Sequence, residues 1–202
     1  MIKEILSILF FVIIVFLFVL LLLSQIRISR LGNVLSRQAA KRKGIFKTKE
    51  IFFHESSVKF TDGGINYVIT EYRPKGFNNG IGITVELNLM PDFELRICKA
   101  IFLNRFFQEK AIYTGNQDFD KEFIVESNNK GFFIDIVTAD IQNKLLEYRL
   151  AKPDIQFKKG RLRILVYDIN ESEAGEAKLD GLIDIATMFC DKIRQKQLSP
   201  QS

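Results

Sequence analysis

From Ile5 to Leu23 every residue is apolar except Ser7, an uncharged run of 19 positions that constrains this chain more than any other feature. As a helix rising about 1.5 Å per residue it extends roughly 28 Å, close to the hydrocarbon thickness of a bilayer. A cleaved secretory signal has a shorter apolar region, about 7–15 residues, followed by small residues at the cleavage site. Here Ser24-Gln25-Ile26-Arg27-Ile28 follows, bulky and charged, with no Cys for lipid attachment. The expectation is an uncleaved single-pass transmembrane anchor over residues 1–24.

Charge then separates the chain into two parts. Residues 1–49 hold nine basic residues and one acidic residue, Glu4, a net of +8. The remaining residues hold 20 basic and 23 acidic groups, a net of −3 within the overall +5. A basic protein of this size suggests nucleic acid, but the basic excess lies wholly beside the apolar run, so nucleic acid is not expected as a partner. Lys and Arg retained beside a span mark its cytoplasmic side, which places the N-terminus outside and the C-terminal domain in the cytoplasm, at the cell (inner) membrane. Residues 25–49 read as a basic juxtamembrane helix and linker. Arg27, Arg30, Arg37, Lys41, Arg42 and Lys43 are the candidate contacts with lipid headgroups. Gly32 and Gly44 suggest a flexible exit into the domain.

Residues 50–197 read as one globular α+β domain, with 198–202 as a tail. Ile65–Tyr72 is β-branched and aromatic, a strand. A turn cluster, Arg73 to Gly80, precedes the alternating run Ile81–Leu89, and Phe93–Cys98 alternates again, so Met90-Pro91-Asp92 reads as a hairpin connection. Further strands are expected near Lys110–Tyr113, Phe119–Glu126 and Phe132–Thr138. Lys159-Gly160 joins Ile155–Lys158 to Arg161–Tyr167 as a second hairpin. Helices are expected over Ala139–Leu150, capped by Thr138 and ended before Pro153, and over Lys178–Gln197. Glu171 to Glu176 reads as a mobile loop. The fold class is α+β: an N-terminal transmembrane helix, then a mainly antiparallel sheet packed by two helices.

Chemistry is sparse. His54 is the single histidine, beside Phe52 and Phe53, and no G-x-S-x-G supplies a nucleophile elbow. Cys98 and Cys190 fall on apolar faces and read as buried small hydrophobes. No dinucleotide, phosphate-loop or zinc motif occurs, so no cofactor or metal is expected. Thr114 to Val125 is the densest segment, with Asn116, Asp118, Asp120 and Glu122 alternating. A calcium loop needs Gly at position six and Glu at twelve. From Asn116 those positions are Lys121 and Ser127, and from Asp118 they are Phe123 and Asn129, so the pattern fails.

The same segment carries a resemblance. T-G-N-x-x-F-D-x-x-F-x-V, followed by Ile141-Gln142-x-x-Leu145-Leu146, Gly160-x-Leu162-x-Ile164 and a final Leu/Ile-rich helix, resembles an uncharacterised bacterial membrane-anchored family with a TGDxxFDxxFxV-type motif. The resemblance covers about residues 60–195, and Asn116 stands where the family carries Asp. It implies domain type and bacterial origin but no activity. Gly115, Asn116, Asp118, Phe119, Asp120 and Phe123 are thus motif residues of unassigned role. Together these readings predict a membrane-tethered binding, accessory or scaffold subunit with the bilayer and a protein partner. The competing reading is a membrane-associated, hydrolase-like enzyme using Asp118, Asp120 and Glu122.

Overall fold

A computed structural model describes residues 2–48, 56–72, 80–87, 90–100, 111–167, 169 and 172–198; among these, the side chains of 2–8, 20–30, 72, 173, 174 and 198 are not described. The turn cluster from Arg73 to Asn79, the His54 neighbourhood and residues 199–202 of the tail lie outside the described residues. The order of elements is α1 (Ile2–Lys41), β1 (Ile45–Thr48), β2 (Ser56–Asp62), β3 (Ile65–Tyr72), β4 (Gly80–Glu86), β5 (Leu95–Lys99), α2 (Gln117–Glu122), β6 (Phe123–Ser127), α3 (Lys130–Ile136), α4 (Ala139–Glu147), a 3-10 turn (Arg149–Ala151), β7 (Asp154–Lys158), β8 (Arg161–Tyr167) and α5 (Glu173–Leu198).

All eight strands join one antiparallel sheet in the order β1-β2-β3-β4-β8-β7-β5-β6. Its register aligns one row of apolar side chains across the whole sheet: Phe46, Val58, Ile69, Ile83, Ile164, Ile155, Ile97 and Val125. The seven from Val58 to Val125 are at most 1% exposed. A second row pairs Phe60 with Tyr67, their rings stacked with centroids 4.9 Å apart, and continues through Val85, Leu162, Phe157 and Leu95. Side chains alternate along a strand, so a one-residue slip would turn these rows out of the core. Both rows belong to one apolar cluster with side chains of all five α-helices. Leu165 and Ile124, of opposite parity in their strands, are buried outside that cluster.

The α+β class and the antiparallel sheet are as the alternation predicts, and β3 and the β7–β8 hairpin fall where expected. In that hairpin Lys159 and Gly160 both take positive φ, 52° and 70°, the geometry a two-residue turn needs to follow strand twist. The hairpin expected at Met90-Pro91-Asp92 is absent. Strand β4 is already paired on both sides, with β3 and β8, so β5 crosses over and pairs with β7 and β6. The strand expected at Phe132–Thr138 is helix α3. Asn129 Oδ1 accepts the Phe132 N–H at 3.0 Å, and Phe132, Phe133, Ile136 and Val137 then share one buried helical face. Their spacing suits a helix better than a strand, whose period of two would split them.

Two corrections concern helix starts, one at α5 and one at α4. The first turn of α5 takes in Glu173 to Glu176, the segment read as a loop, and Ser172 Oγ accepts the Gly175 N–H at 3.3 Å. Thr138 stands at the N-cap position of α4 but makes no capping bond, and its hydroxyl is buried without a partner. The apolar stripe of α4 nevertheless packs as expected, with Ile141 and Leu145 fully buried and Tyr148 laid against Gly181 of α5.

The domain boundary also moves. Residues 31–48 are no linker: Leu31, Val34, Leu35 and Ala39 of α1 are core, and β1 is the first strand of the sheet. Gly44 is a tight corner rather than a flexible exit, because a Cβ there would lie 2.7 Å from the Lys59 carbonyl oxygen. The sheet is therefore covered by more than two helices. Toward the other end of α1, Leu9–Val19 is exposed at all 11 positions. Among the described residues no helix is long and apolar enough to cross a membrane.

A Cβ at Gly181 would lie 1.7 Å from the Tyr148 hydroxyl oxygen, so the α4–α5 contact depends on a bare backbone there. Alanine favours helices over glycine by about 1 kcal/mol. Gly181→Ala should nonetheless lower stability by about 1–3 kcal/mol, the usual cost of overpacking. Thermal unfolding of Gly181→Ala alone and combined with Tyr148→Ala checks this, the second change recovering part of the loss.

Candidate functional site

The Thr114–Val125 segment folds as a short loop locked onto helix α2. Gly115 takes φ +88°, a left-handed value that a side chain disfavours. Asn116 is the N-cap, its Oδ1 accepting the Phe119 N–H at 3.2 Å. Asp or Asn serves equally in that role, so Asn116 keeps the function an Asp would have. Asp120 turns back on the loop: its carboxylate accepts the Thr114 N–H at 3.0 Å, the Thr114 hydroxyl at 2.9 Å and the Gly115 N–H at 3.1 Å. Thr114 Oγ1 in turn accepts the Asn116 N–H at 3.2 Å. Phe119 and Phe123 stack at 5.0 Å in the core. The strand expected over Phe119–Glu126 is thus half helix, because the cap at Asn116 supplies the first-turn N–H with an acceptor.

This geometry brings the three candidate carboxylates to one helix but not to one point of action. Asp120 is engaged by backbone donors. Glu122 pairs with Lys99, and the hydrogen bond from Lys99 holds its carboxyl below the ordinary 4.5. Asp118 is exposed in the first turn, where a negative charge favours the helix dipole. Among the described residues no group of three His, Cys, Asp or Glu could hold a metal ion. The motif residues bond the loop to α2 and fill the core beneath it.

The basic residues of α1 have partners that the sequence did not reveal. Arg37 pairs with Glu176 of α5. Lys41 Nζ and Arg42 Nη2 both donate to Asp180, at 2.6 and 2.9 Å, and Gln38 Nε2 adds a longer bond of 3.3 Å. Arg42 also reaches Asp62 at 3.5 Å and lies over the Phe60 ring at 5.2 Å. Burial raises the Asp180 pKa, but the hydrogen bonds from Lys41, Arg42 and Gln38 outweigh it, so the carboxyl ends below its ordinary 3.8. Arg37, Lys41 and Arg42, expected on lipid, thus bind the domain's own helix. Lys43 is exposed at the left-handed corner after α1, φ 52°. The side chains of Arg27 and Arg30 lie outside the described set.

Neither cysteine is poised to react. Burial pushes the Cys190 thiol up to about 12 and raises that of Cys98 as well, so the thiolate is disfavoured at both. Tyr67 is likewise pushed up to about 12 by burial while bonded to Thr187 at 2.6 Å.

Sequence reading missed a cleft of about 460 Å³ at the ends of β5, β6 and β7, lined by Glu94, Arg96, Glu126, Asn128, Gln156 and Lys158 among others. Strands β5 and β7 are far apart in sequence, so no local pattern announces it. Its charges are paired across strands: Arg96 with Asp154 at 3.2 Å and Lys158 with Glu94 at 2.8 Å. Such pairs suit a solvated sheet surface.

Two substitutions separate these roles. Asp120→Ala leaves three loop donors without their acceptor and should cost about 1–3 kcal/mol, while Asn116→Asp preserves the cap and should change stability by less than about 0.5 kcal/mol. Asp180 has a lowered folded pKa, so its contribution is present above the ordinary carboxylate range and lost as pH falls through the folded value. Denaturant unfolding of Asp180→Asn should therefore show lower stability at neutral pH and a shallower decline with acid than the parent chain.

No protein-family model matches the chain, and no curated protein is detectably similar to it in sequence. Among solved structures, the crystal structure of the mycobacterial trehalose monomycolate transport factor A, TtfA, superposes with a TM-score of 0.56 at 10% sequence identity. The match covers 81% of this chain and 94% of that one, and at such low identity it is a likeness of fold.

Proposed function

We propose that this chain is a membrane-tethered accessory or scaffold protein that acts by binding, its α+β domain carried on helix α1. The observation that carries this reading is the helix itself. One 40-residue helix begins in an apolar run exposed over Leu9–Val19 and ends as part of the domain core. Apolar surface exposed around a helix is costly in water and stable in lipid. The full run from Ile5 to Leu23 has the length of a span. The basic residues after it favour a cytoplasmic domain at the inner membrane. The fold likeness to a transport factor supports an accessory role. Engagement of Asp120 and Glu122 in structural contacts leaves the hydrolase reading without support.

Helix rise limits which basic groups serve the membrane. From Leu23, Arg27 and Arg30 lie roughly 6 and 10 Å along the axis, and Lys41 roughly 27 Å. The headgroup layer extends roughly 5–8 Å beyond the hydrocarbon and the screening length at physiological salt adds about 8 Å, so Arg27 and Arg30 stand within reach of headgroups and Lys41 stands beyond it.

Membrane fractionation tests the reading. The full chain should stay in the pellet through high salt and alkaline carbonate, and deletion of residues 1–24 should release it. In intact cells an impermeant reagent should label an N-terminal tag and spare the domain. A full chain washed off by carbonate would refute the anchor. Solubilised in mild detergent, the chain should co-purify with a membrane protein in fixed stoichiometry, and a lone monomer would count against the accessory role.

A further inference from the structure

We infer that the end of the sheet carrying Thr48, Ser56, Gly80 and Tyr167 faces the bilayer, and that the end carrying the Gly63-Gly64 turn and the 460 Å³ cleft points away from it. This inference rests on the membrane-anchor reading and adds an orientation to it.

The direction of α1 across the sheet supplies the argument. Near the start of its packed half, Gly32 lies beside Ser56 at the beginning of β2, a Cβ there being 3.5 Å from the serine Oγ. Near its end, Arg42 reaches Asp62 at the close of β2. The helix therefore runs along β2 from the Ser56 end to the Asp62 end, and its N-terminal apolar half leaves past Ser56. Strand β1 then returns, placing Thr48 opposite Ser56. Helix α5 runs the same way as α1, because Arg37–Glu176 and Lys41–Asp180 share one sequence separation, 139 residues. It ends with Arg194 donating to the Gly64 carbonyl at 2.9 Å, at the far end of the sheet.

Backbone continuity makes this direction binding on the domain. Helix α1 is unbroken from Ile2 to Lys41, so Leu31, the first described core residue of α1, stands only about 12 Å along the axis from Leu23. Core packing and the Asp180 contacts hold the upper half of the helix against the sheet and α5. The seven residues of β2 separate the two sheet ends by about 20 Å along the strand. The cleft residues Glu94, Asn128 and Lys158 belong to the far end, where Lys158 pairs with Arg161 and Arg161 with Glu86. The far end thus stands free of lipid, while the Ser56 end is the lipid-facing surface.

Energy transfer to the membrane surface tests the orientation on the full chain. In a Cys98→Ser background, where Cys190 is fully buried, Thr48→Cys and Asp92→Cys each accept a donor dye at an exposed site. The labelled proteins are placed in vesicles of phosphatidylcholine and phosphatidylglycerol with an acceptor dye on a fraction of the headgroups. Transfer should be stronger from position 48 than from position 92, and a flexible ten-residue Gly/Ser insert after Gln25 should erase the difference. A chain that floats with the vesicles yet transfers equally, or more strongly from position 92, overturns the orientation alone. A chain that does not float at all removes the anchor reading and this inference with it.

Discussion

The rest of the molecule depends on one helix that is core over one half and exposed apolar surface over the other. The upper half of α1 places Leu31, Val34, Leu35 and Ala39 in the domain core, and its charged side chains grip Asp180, Glu176 and Asp62. The lower half exposes apolar side chains over every described position from Leu9 to Val19. Since no break separates the halves, whatever medium holds the lower half also fixes the attitude of the domain. The Asp180 contacts contribute modestly, as partly exposed ion pairs do, but they add direction to apolar packing that has none.

Across the sheet, seven buried β-branched residues in register set the pairing of every strand from β2 to β6. The helices close over that face, and Gly181 lets Tyr148 approach the backbone of α5 closely enough to seat α4. The Thr114–Val125 motif belongs to the same construction. Its Asn and Asp accept backbone N–H groups at the entrance to α2, its Gly takes the left-handed turn, and its two Phe side chains enter the core. A dense polar motif here marks a tightly bonded corner in the chain.

Much of this was legible in sequence where local physics decides. β-Branched and aromatic residues located β3, alternation located β4 and β5, the Lys159-Gly160 turn located the β7–β8 hairpin, and the stripe in α4 was visible at helical spacing. Errors arose where a distant partner decides. The apparent hairpin at Met90-Pro91-Asp92 failed because β8, some 75 residues later, occupies the edge that β5 would have needed. Phe132–Thr138 reads as a strand in sequence, and the Asn129 cap with the core beneath it makes the segment a helix. Arg37, Lys41 and Arg42 read as headgroup contacts in sequence because their acidic partners on α5 are about 140 residues away.

The sequence alone determined the long apolar run, the separation of a basic arm from an acidic remainder and the α+β composition, because these follow from hydrophobicity and local periodicity. Tertiary structure alone decided where the domain begins, which basic groups of the arm pair with helix α5 and which end of the sheet α1 leaves. Those outcomes depend on contacts between residues far apart in the chain. Such contacts form only when the sheet register brings β2, α1 and α5 side by side.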